Sequence, residues 1–346
     1  DMNAPGDNLG MCDDLRATPR DLSGAALSEL TLSGTDFGSS QLNGTDLSKA
    51  NLDGTRFSAK VEREQRTDGS IRFRTLESGS SQKMNLSGAS LTRAHFQDRD
   101  LLAANFQTAT GIHTSFSGGD LSYSKFQGAK LTHANLYQVG GNKIHFDGTN
   151  LTGSQLQSVD FISPVFRNAN LTRTRFPGSR LERADFESAT LVGADLSGAK
   201  LKGSDFRNAD LRAFQVYDRS GKSNFRTQIP TSLAGADCAD CDFRGTDLSG
   251  VNLSSTRLLG AKFDLSTVLP FSHEQARRYG MVFSGPTGPL ETTNKELGSG
   301  GVFDQIPPNS EIWITNVGRP LGIYAIDPVD GRTSRIEIPD HTAVPK

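Results

Sequence analysis

A large apolar residue recurs at every fifth position through most of this chain, and phenylalanine recurs at every twentieth. The twenty-residue series comprises Phe106, Phe126, Phe146, Phe166, Phe186 and Phe206. An α-helix repeats its apolar face about every 3.6 residues and a strand every second residue, so a period of five fits neither. It indicates one inward side chain per short straight segment, followed by a corner. Four segments make one turn, which predicts a solenoid of stacked four-sided coils with these phenylalanines as a core ladder.

A small residue stands two positions before each large one, as Ala184 does before Phe186. Both side chains have to share a narrow interior, because protein interiors are packed as densely as crystals. Asp or Asn often lies between the two, as Asp185 and Asp195 do. A short polar side chain at that place can bond the backbone of the turn.

The segment ADFESATLVGADLSGAKLKGSDFRNADL at 184–211 carries this pattern most clearly. It resembles the A(D/N)Lxx signature of the pentapeptide-repeat proteins, and the resemblance extends over roughly residues 21–264. It implies their all-β fold, a right-handed quadrilateral parallel β-helix. We expect about ten coils, which makes a rod about 50 Å long at the usual strand spacing.

The periodicity divides the chain into four parts. These are an N-terminal lead-in or cap at 1–20, the β-helix at 21–264, a helical cap at 265–283, and a linker with a β-rich tail at 284–346. Ser272 is a suitable helix N-cap and Gly280 a suitable stop, so a short helix is expected to close the last coil. The runs EIWITNV, GIYAID and RIEIP in the tail predict short strands, which form either a small sheet or a layer along the rod.

Two stretches interrupt the period of five, at 58–85 and at 217–232. The first contains VEREQRTDGSIRFRT, whose residue types alternate around Asp68 and Gly69, and this predicts a charged hairpin that projects from the rod. The second is polar and contains glycine and proline, which predicts a loop. Deletion of such inserts is expected to leave the rod intact.

Three central positions of the long repeat run hold neither Leu nor Phe, namely Gly111, Gly141 and Val216. We interpret the two glycines as local bulges. Ile112 and Ile144 are then the candidates to fill the space that the missing side chains leave.

Composition limits the classes of function. The chain has 37 basic and 39 acidic residues and a net charge of −2, which argues against a general nucleic-acid binder. No apolar run is long enough to span a membrane, and the N-terminal sequence lacks the pattern of a secretory signal. A cytoplasmic protein is expected, with secretion through a bacterial effector system as the alternative. The three cysteines Cys12, Cys238 and Cys241 fit a reducing compartment, the last two as buried, inert thiols.

Several polar residues fall in register on the surface. His113 and His133 are twenty apart, but without a third ligand in register they are interpreted as a stacked pair, and no metal or cofactor is predicted. A column of alternating charge, interpreted as surface stabilisation, comprises Asp147, Arg167, Glu187 and Arg207. The candidate partner-binding residues are Arg63, Arg66, Arg72, Phe73 and Arg74 in the insert, Arg173, Arg175, Arg180 and Arg183 in the repeats, and Trp313 in the tail.

No nucleophile, base and orienting group converge by spacing, so no catalytic residue is predicted. The sequence favours a non-enzymatic scaffold that binds an unidentified protein through its inserts and tail, as its resemblance to secreted bacterial effectors with such repeats implies. One alternative is implied by the resemblance to the quinolone-resistance branch, whose rods imitate DNA and bind gyrase. Another is a substrate-binding fragment of a larger effector ubiquitin ligase. The oligomeric state is left open.

Overall fold

The structure is a computed structural model of the chain. It describes residues 20–38, 40–57, 61–65, 71–75, 82–217, 226–284, 311–315, 322–326 and 333–336. The predicted lead-in and linker, with Cys12, lie almost wholly outside these residues. The described residues contain no helix with the length and apolar character of a membrane span.

The repeats form a four-sided parallel β-solenoid. Parallel bridges join outward positions twenty residues apart, and four such series alternate along the chain. We name the four sides A to D, in chain order, by residues on their bridges. Side A carries Asp100, Asp120, Asp160 and Arg180; side B carries Asn105, Lys125, His145 and Asp185; side C carries Thr110, Lys130, Asn150 and Asn170; side D carries His95, Ser115, Asn135 and Arg175.

Backbone hydrogen bonds join each coil to the next, as when the N–H of Leu171 donates to the carbonyl of Thr190 at 2.7 Å. Within a turn, the N–H of Glu187 donates to the Asp185 carboxylate at 3.1 Å, as the sequence predicts. Buried hydroxyls in the small-residue position are also satisfied. Thr174 donates to the carbonyl of Leu151 in the preceding coil at 2.9 Å. The backbone and the inward hydroxyls of a regular coil are therefore bonded to the neighbouring coils and turns.

The predicted phenylalanine ladder is confirmed on side B. Its six members are fully buried, and consecutive ring centroids lie 4.6 to 5.0 Å apart with interplanar angles of 3° to 22°. Phe243 extends the stack across the second interruption, 5.3 Å from Phe206. A second ladder on the opposite side D comprises Phe37, Phe57, Phe96 and Phe116. The two ladders meet edge to face, as Phe96 and Phe106 do at 5.7 Å.

The first interruption is an antiparallel ribbon, as predicted. Strand β1 (Val61–Gln65) pairs with β2 (Ile71–Thr75), while Asp68 and Gly69 of the connecting turn lie outside the described residues. The ladder resumes earlier than expected, because Gln82 and the residues that follow it already bond to neighbouring coils. The ribbon does not stand away from the rod, since Cα atoms of β2 lie within 8 Å of those of β5 (Gly140–Asn142) on side A.

The second interruption is a hairpin, so the prediction of a loop was incomplete. Strands β7 (Phe214–Tyr217) and β8 (Arg226–Ile229) pair in antiparallel fashion. Val216 is 38% exposed and belongs to β7, so it is not a core position. The long ladder ends instead at the buried Leu211.

Gly111 and Gly141 are not bulges, because both stay in register with the next coil. They lie in the pairs β3 (Thr110–Ile112) with β4 (Lys130–Thr132), and β5 with β6 (Asp160–Ile162). Ile144 is buried, and its Cδ1 lies 2.6 Å from the point where a Cβ on Gly141 would stand, so it fills that space as predicted. Ile112 is 49% exposed and does not compensate. The hydroxyl of Thr114 takes the corresponding place at Gly111.

The C-terminal part begins with β9 (Lys262–Phe263), helix α1 (His273–Arg278) and β10 (Val282–Phe283). Ser272 caps α1 as predicted, in a capping box with Gln275, and Ala276 is buried. Because β9 and β10 are parallel and in register, α1 lies within a single coil. Strands β11 (Glu311–Thr315), β12 (Gly322–Ile326) and β13 (Thr333–Ile336) form a small antiparallel sheet, as one of the two predictions for the tail has it.

We predict that Phe166→Ala lowers the free energy of unfolding by about 3–5 kcal/mol, because truncation of a core aromatic leaves a cavity between two stacked rings. Phe166→Leu is the control, since leucine occupies the equivalent core positions of side B in the first coils. This variant is expected to lose about 1 kcal/mol of the free energy of unfolding. Equilibrium denaturation of both variants measures the difference. A loss below about 1 kcal/mol for the alanine variant contradicts the ladder as a source of stability.

Candidate functional site

The interior of the rod offers no space to a ligand among the described residues, because Leu, Phe and small residues fill it. Two of the depressions on its surface lie beside the second hairpin and beside the candidate residue Arg183. One, of about 430 Å³, is lined by residues that include Val192, Arg212 and Gln215 beside the second hairpin. The other, of about 460 Å³, lies on side A near Ile162 and Arg183. The chemistry available to a partner is therefore that of the outer surface.

Cys238 and Cys241 are both buried. Burial raises the pKa of the Cys241 thiol well above its usual value. The thiol also donates to the carbonyl of Leu201 at 3.1 Å. A protonated, enclosed thiol is a poor nucleophile, which agrees with the interpretation of these cysteines as inert.

The predicted column of alternating charge is present at the corner between sides B and C. Arg207 bonds Asp205 at 2.6 Å and lies 3.3 Å from the carboxylate of Glu187. Arg167 bonds Asp185 and lies 3.6 Å from Glu187. Asp147 instead lies 3.5 Å from His145, and among the described residues it forms no ion pair with Arg167. Bonding to these carboxylates, chiefly Asp205, raises the pKa of Arg207.

The same corner brings three carboxylates close enough together to hold a cation, those of Asp185, Glu187 and Asp205. Arg167 and Arg207 occupy their oxygens, and two guanidinium groups leave little negative charge for a metal ion. We interpret the cluster as a surface ion-pair network, which agrees with the prediction for the column.

The predicted basic group of four arginines is divided between two parts of the surface. Arg180 lies on side A, 3.6 Å from Asp160 and 3.7 Å from Glu182, and Arg183 lies at the adjoining corner. Arg173 and Arg175 lie at the corner of sides C and D and on side D, and both are exposed. Arg180 is therefore paired with carboxylates, whereas Arg173, Arg175 and Arg183 are exposed and form no ion pair among the described residues.

The corner between sides C and D also carries the predicted histidine pair. The rings of His113 and His133 lie 5.5 Å apart at a 30° angle. Gly153 continues this column at a φ of +69°, and a Cβ there would stand 2.7 Å from the ring of His133. The glycine therefore makes room for the imidazole. Further along the column, the guanidinium of Arg173 lies 5.0 Å from the centroid of the Phe214 ring.

Phe214 fixes the second hairpin to this corner. A Cβ on Gly193 would stand only 2.6 Å from the Cβ of Phe214, so the glycine allows β7 to lie against the coil. Arg173 covers the other part of the ring, and a cation over an aromatic face is attractive. The hairpin thus has a defined seat on the rod.

For the first insert, the structure places the backbone of Arg63, Arg72, Phe73 and Arg74 on β1 and β2, whereas Arg66 lies outside the described residues. Trp313 lies on β11, paired with Tyr324. The side chains of these residues are outside what the structure describes. Their role in binding a partner stays a prediction.

Sequence reasoning missed Arg99, which is buried beneath the first interruption. It occupies the inward position that holds Ala94 and Ala104 in the adjoining repeats. In regular coils the carbonyl at this position accepts from the next coil, as that of Ala94 accepts from the N–H of Ser115 at 2.9 Å. At Ser40 the next coil is the interrupted one. The Arg99 guanidinium bonds the carbonyls of Ser40 and Gly38 from two coils away.

Burial lowers the pKa of Arg99 to about 10, so the guanidinium is still charged at neutral pH. Its hydrogen bonds satisfy carbonyls at the place where the ribbon leaves the rod. The signal was available in the sequence, because a long charged residue interrupts a position otherwise held by small or apolar residues. Arg99 is therefore a structural element that permits the insertion.

A family model described as pentapeptide repeats matches eight copies in the chain, within residues 21–58, 100–138, 165–203, 179–213 and 231–267. Among curated proteins, none is similar enough to count as a relative. Similar solved structures include HetL, a pentapeptide repeat protein involved in heterocyst differentiation regulation from the cyanobacterium Nostoc, with 20% identity, 75% coverage of this chain, 91% of HetL and a TM-score of 0.33. Another is QnrB1, a plasmid-mediated fluoroquinolone resistance protein, with 17% identity, 67% coverage of this chain, 90% of QnrB1 and a TM-score of 0.28.

We predict that Arg99→Met lowers the free energy of unfolding by about 1–3 kcal/mol, because it keeps most of the volume but leaves the carbonyls of Gly38 and Ser40 without this donor. Arg93→Met is the matched control. Arg93 is exposed on the same coil, and its replacement is expected to change stability by less than about 0.5 kcal/mol. Chemical denaturation distinguishes the two. Equal stability of both variants contradicts the assigned role.

Proposed function

Because its repeats place this chain in the pentapeptide-repeat family, we propose that it is a non-enzymatic scaffold that binds another protein through the segments inserted into its rod. The observation that carries the proposal is the form of the two interruptions. Each is an antiparallel hairpin, and the parallel ladder resumes after each one. The rod thus holds both hairpins without using them to build its core.

The extra length is considerable at both places. Bridged residues Asp46 and Asn85 are 39 positions apart, and Asp195 and Ser232 are 37 apart, whereas an uninterrupted coil uses 20. Because long surface insertions cost little conformational free energy, the rod can carry them without loss of packing. Sequence that packing does not constrain is the part of a repeat protein most able to specialise for a partner.

The second hairpin supports the proposal through its seat on Gly193 and Arg173. A hairpin held in one position loses little conformational entropy on binding, so its contacts contribute more of their energy to affinity. Its strands have only each other as partners among the described elements, which leaves open edges to which a strand of another protein can add.

The alternative of a DNA-imitating rod is less well supported. Imitation of DNA requires a continuous negative face. On side A, the series from Asp160 continues with Arg180 and Lys200, and on side B Lys125 precedes His145. Cations therefore interrupt the outward positions that a DNA mimic fills with carboxylates.

We predict that replacing residues 61–75 with a short Gly-Ser turn leaves the melting temperature nearly unchanged but removes a bound partner from pull-down experiments. The rod is expected to keep its fold because the ladder rejoins at Gln82. A variant that keeps the hairpin but has Arg63, Arg72 and Arg74 changed to Thr is the control. It shows whether binding depends on the positive charges or on the hairpin backbone. An unchanged set of partners with the fold intact excludes the ribbon and directs attention to the second hairpin and to Trp313.

A second prediction distinguishes the proposed scaffold from a DNA-imitating protein that binds gyrase. The purified protein is expected to inhibit the supercoiling activity of gyrase weakly or not at all at micromolar concentration, because its outward positions mix both signs of charge. A supercoiling assay at two salt concentrations measures this, with an inhibitory DNA-mimic protein as the positive control. Strong inhibition that falls with added salt makes gyrase binding the better function.

A further inference from the structure

Charge is distributed unevenly around the rod. On sides C and D and their corners, one carboxylate, that of Asp98, occurs in the five coil segments 88–98, 108–118, 128–138, 148–158 and 168–178. The complementary segments on sides A and B, 99–107, 119–127, 139–147, 159–167 and 179–187, contain seven. Over these five coils, sides C and D are therefore nearly free of carboxylates, and Asp53 and Asp195 lie beyond the two ends of the stretch.

This stretch of sides C and D carries exposed cations. They are Arg93, Lys130, Arg173 and Arg175, with His95, His113 and His133 between them on the same two sides. None of the four Arg and Lys residues forms an ion pair within the part of the chain that the structure describes, although Arg173 covers the ring of Phe214. Their charges are available to a partner, unlike those of Arg167 and Arg207 on the opposite half.

The rest of the surface on these sides is polar and uncharged. Side D presents Ser115, Asn135 and Gln155 in successive coils, and side C presents Thr110, Asn150 and Asn170. Amide side chains both donate and accept hydrogen bonds. Tyr137 adds an aromatic ring that is 46% exposed. Such a surface can bond both the N–H and the C=O groups of a peptide backbone, in addition to attracting anions.

We propose that sides C and D form a docking surface for an extended, acidic polypeptide segment of a partner protein, which lies along the rod. Arginine fits carboxylates in a bidentate manner, and three of the four free cations are arginines. A nucleic-acid backbone offers phosphate acceptors but no N–H groups to pair with amide oxygens. Four fixed cations spread over five coils are also sparse for a phosphate chain. The mixture of amides with few cations therefore favours a peptide.

The dimensions agree with this partner. Arg93 and Arg173 occupy the same corner four coils apart, which is about 19 Å at the usual strand spacing. An extended peptide covers that length with about six residues. The second hairpin sits at the Arg173 end of this corner, so a partner that contacts the hairpin can continue onto sides C and D. The inference thus deepens the proposed function but uses a different surface, and the two can fail separately.

The test compares two triple variants with equal change of charge. One is Arg93→Glu, Lys130→Glu and Arg175→Glu on sides C and D, which leaves the Arg173 contact with the second hairpin intact. The control is Lys125→Glu, Lys143→Glu and Arg183→Glu on sides A and B, where all three residues are exposed and, among the described residues, form no ion pair. Fluorescence anisotropy with labelled poly-L-glutamate measures binding to the full chain at low salt, and circular dichroism checks that both variants keep the wild-type fold.

The wild type and the control are expected to bind the probe with similar affinity, while the variant on sides C and D binds about tenfold or more weakly. Equal loss in both variants, or no binding by the wild type, overturns the proposal. So does tighter binding of single-stranded DNA or heparin than of poly-L-glutamate by the wild type, since the partner is then not a polypeptide. Deletion of residues 61–75 leaves this surface intact, so loss of the ribbon function does not change the expected result.

Discussion

The whole rod depends on the narrow space inside each coil. A side of the coil holds one large and one small inward side chain, and the backbone hydrogen bonds to the next coil then fix the twenty-residue repeat. Stacked rings, such as Phe146 on Phe166 at 4.9 Å, follow from this repeat because identical positions lie directly above one another. In a solenoid each coil is stabilised by its neighbours, so an error in one coil is felt by the two beside it.

The exceptions obey the same constraint. Gly141 lacks the large side chain of its position, and Ile144 from the small-residue position fills the space. Arg99 is long where its neighbours are short, and its guanidinium donates to the carbonyls of Gly38 and Ser40 beside the first interruption. In both cases volume and hydrogen bonding are restored by the nearest residue able to do so. Departures from the repeat are therefore compensated locally, which explains how the rod accepts inserts.

The sequence was sufficient for the fold wherever the repeat is strict. The period predicted the side B ladder, the ribbon and the short helix, since each depends on local spacing or on turn residues. The period failed where the same spacing is compatible with two structures. Val216 keeps the period of five but lies in a hairpin, and Ile112 follows a glycine but points outward. The sequence also did not predict that Arg173 and Arg175 lie on a different side of the rod from Arg180 and Arg183. Residues close in sequence turn a corner within five positions, so proximity along the chain does not imply a common surface.

Four sides with one shared interior give this protein four outer surfaces that can differ freely. Inward positions are constrained by packing, whereas an outward residue contacts mainly its neighbours twenty residues away, so charge can accumulate along one side without strain in another. On side B and its corner, opposite charges alternate and pair, as Arg207 and Glu187 do. At the corner of sides C and D, His113, His133 and Arg173 follow one another without a carboxylate between them. Surface ion pairs stabilise a protein little, and this column has none among the described residues, so its charge fits the proposed recognition of an anionic partner better than a role in stability.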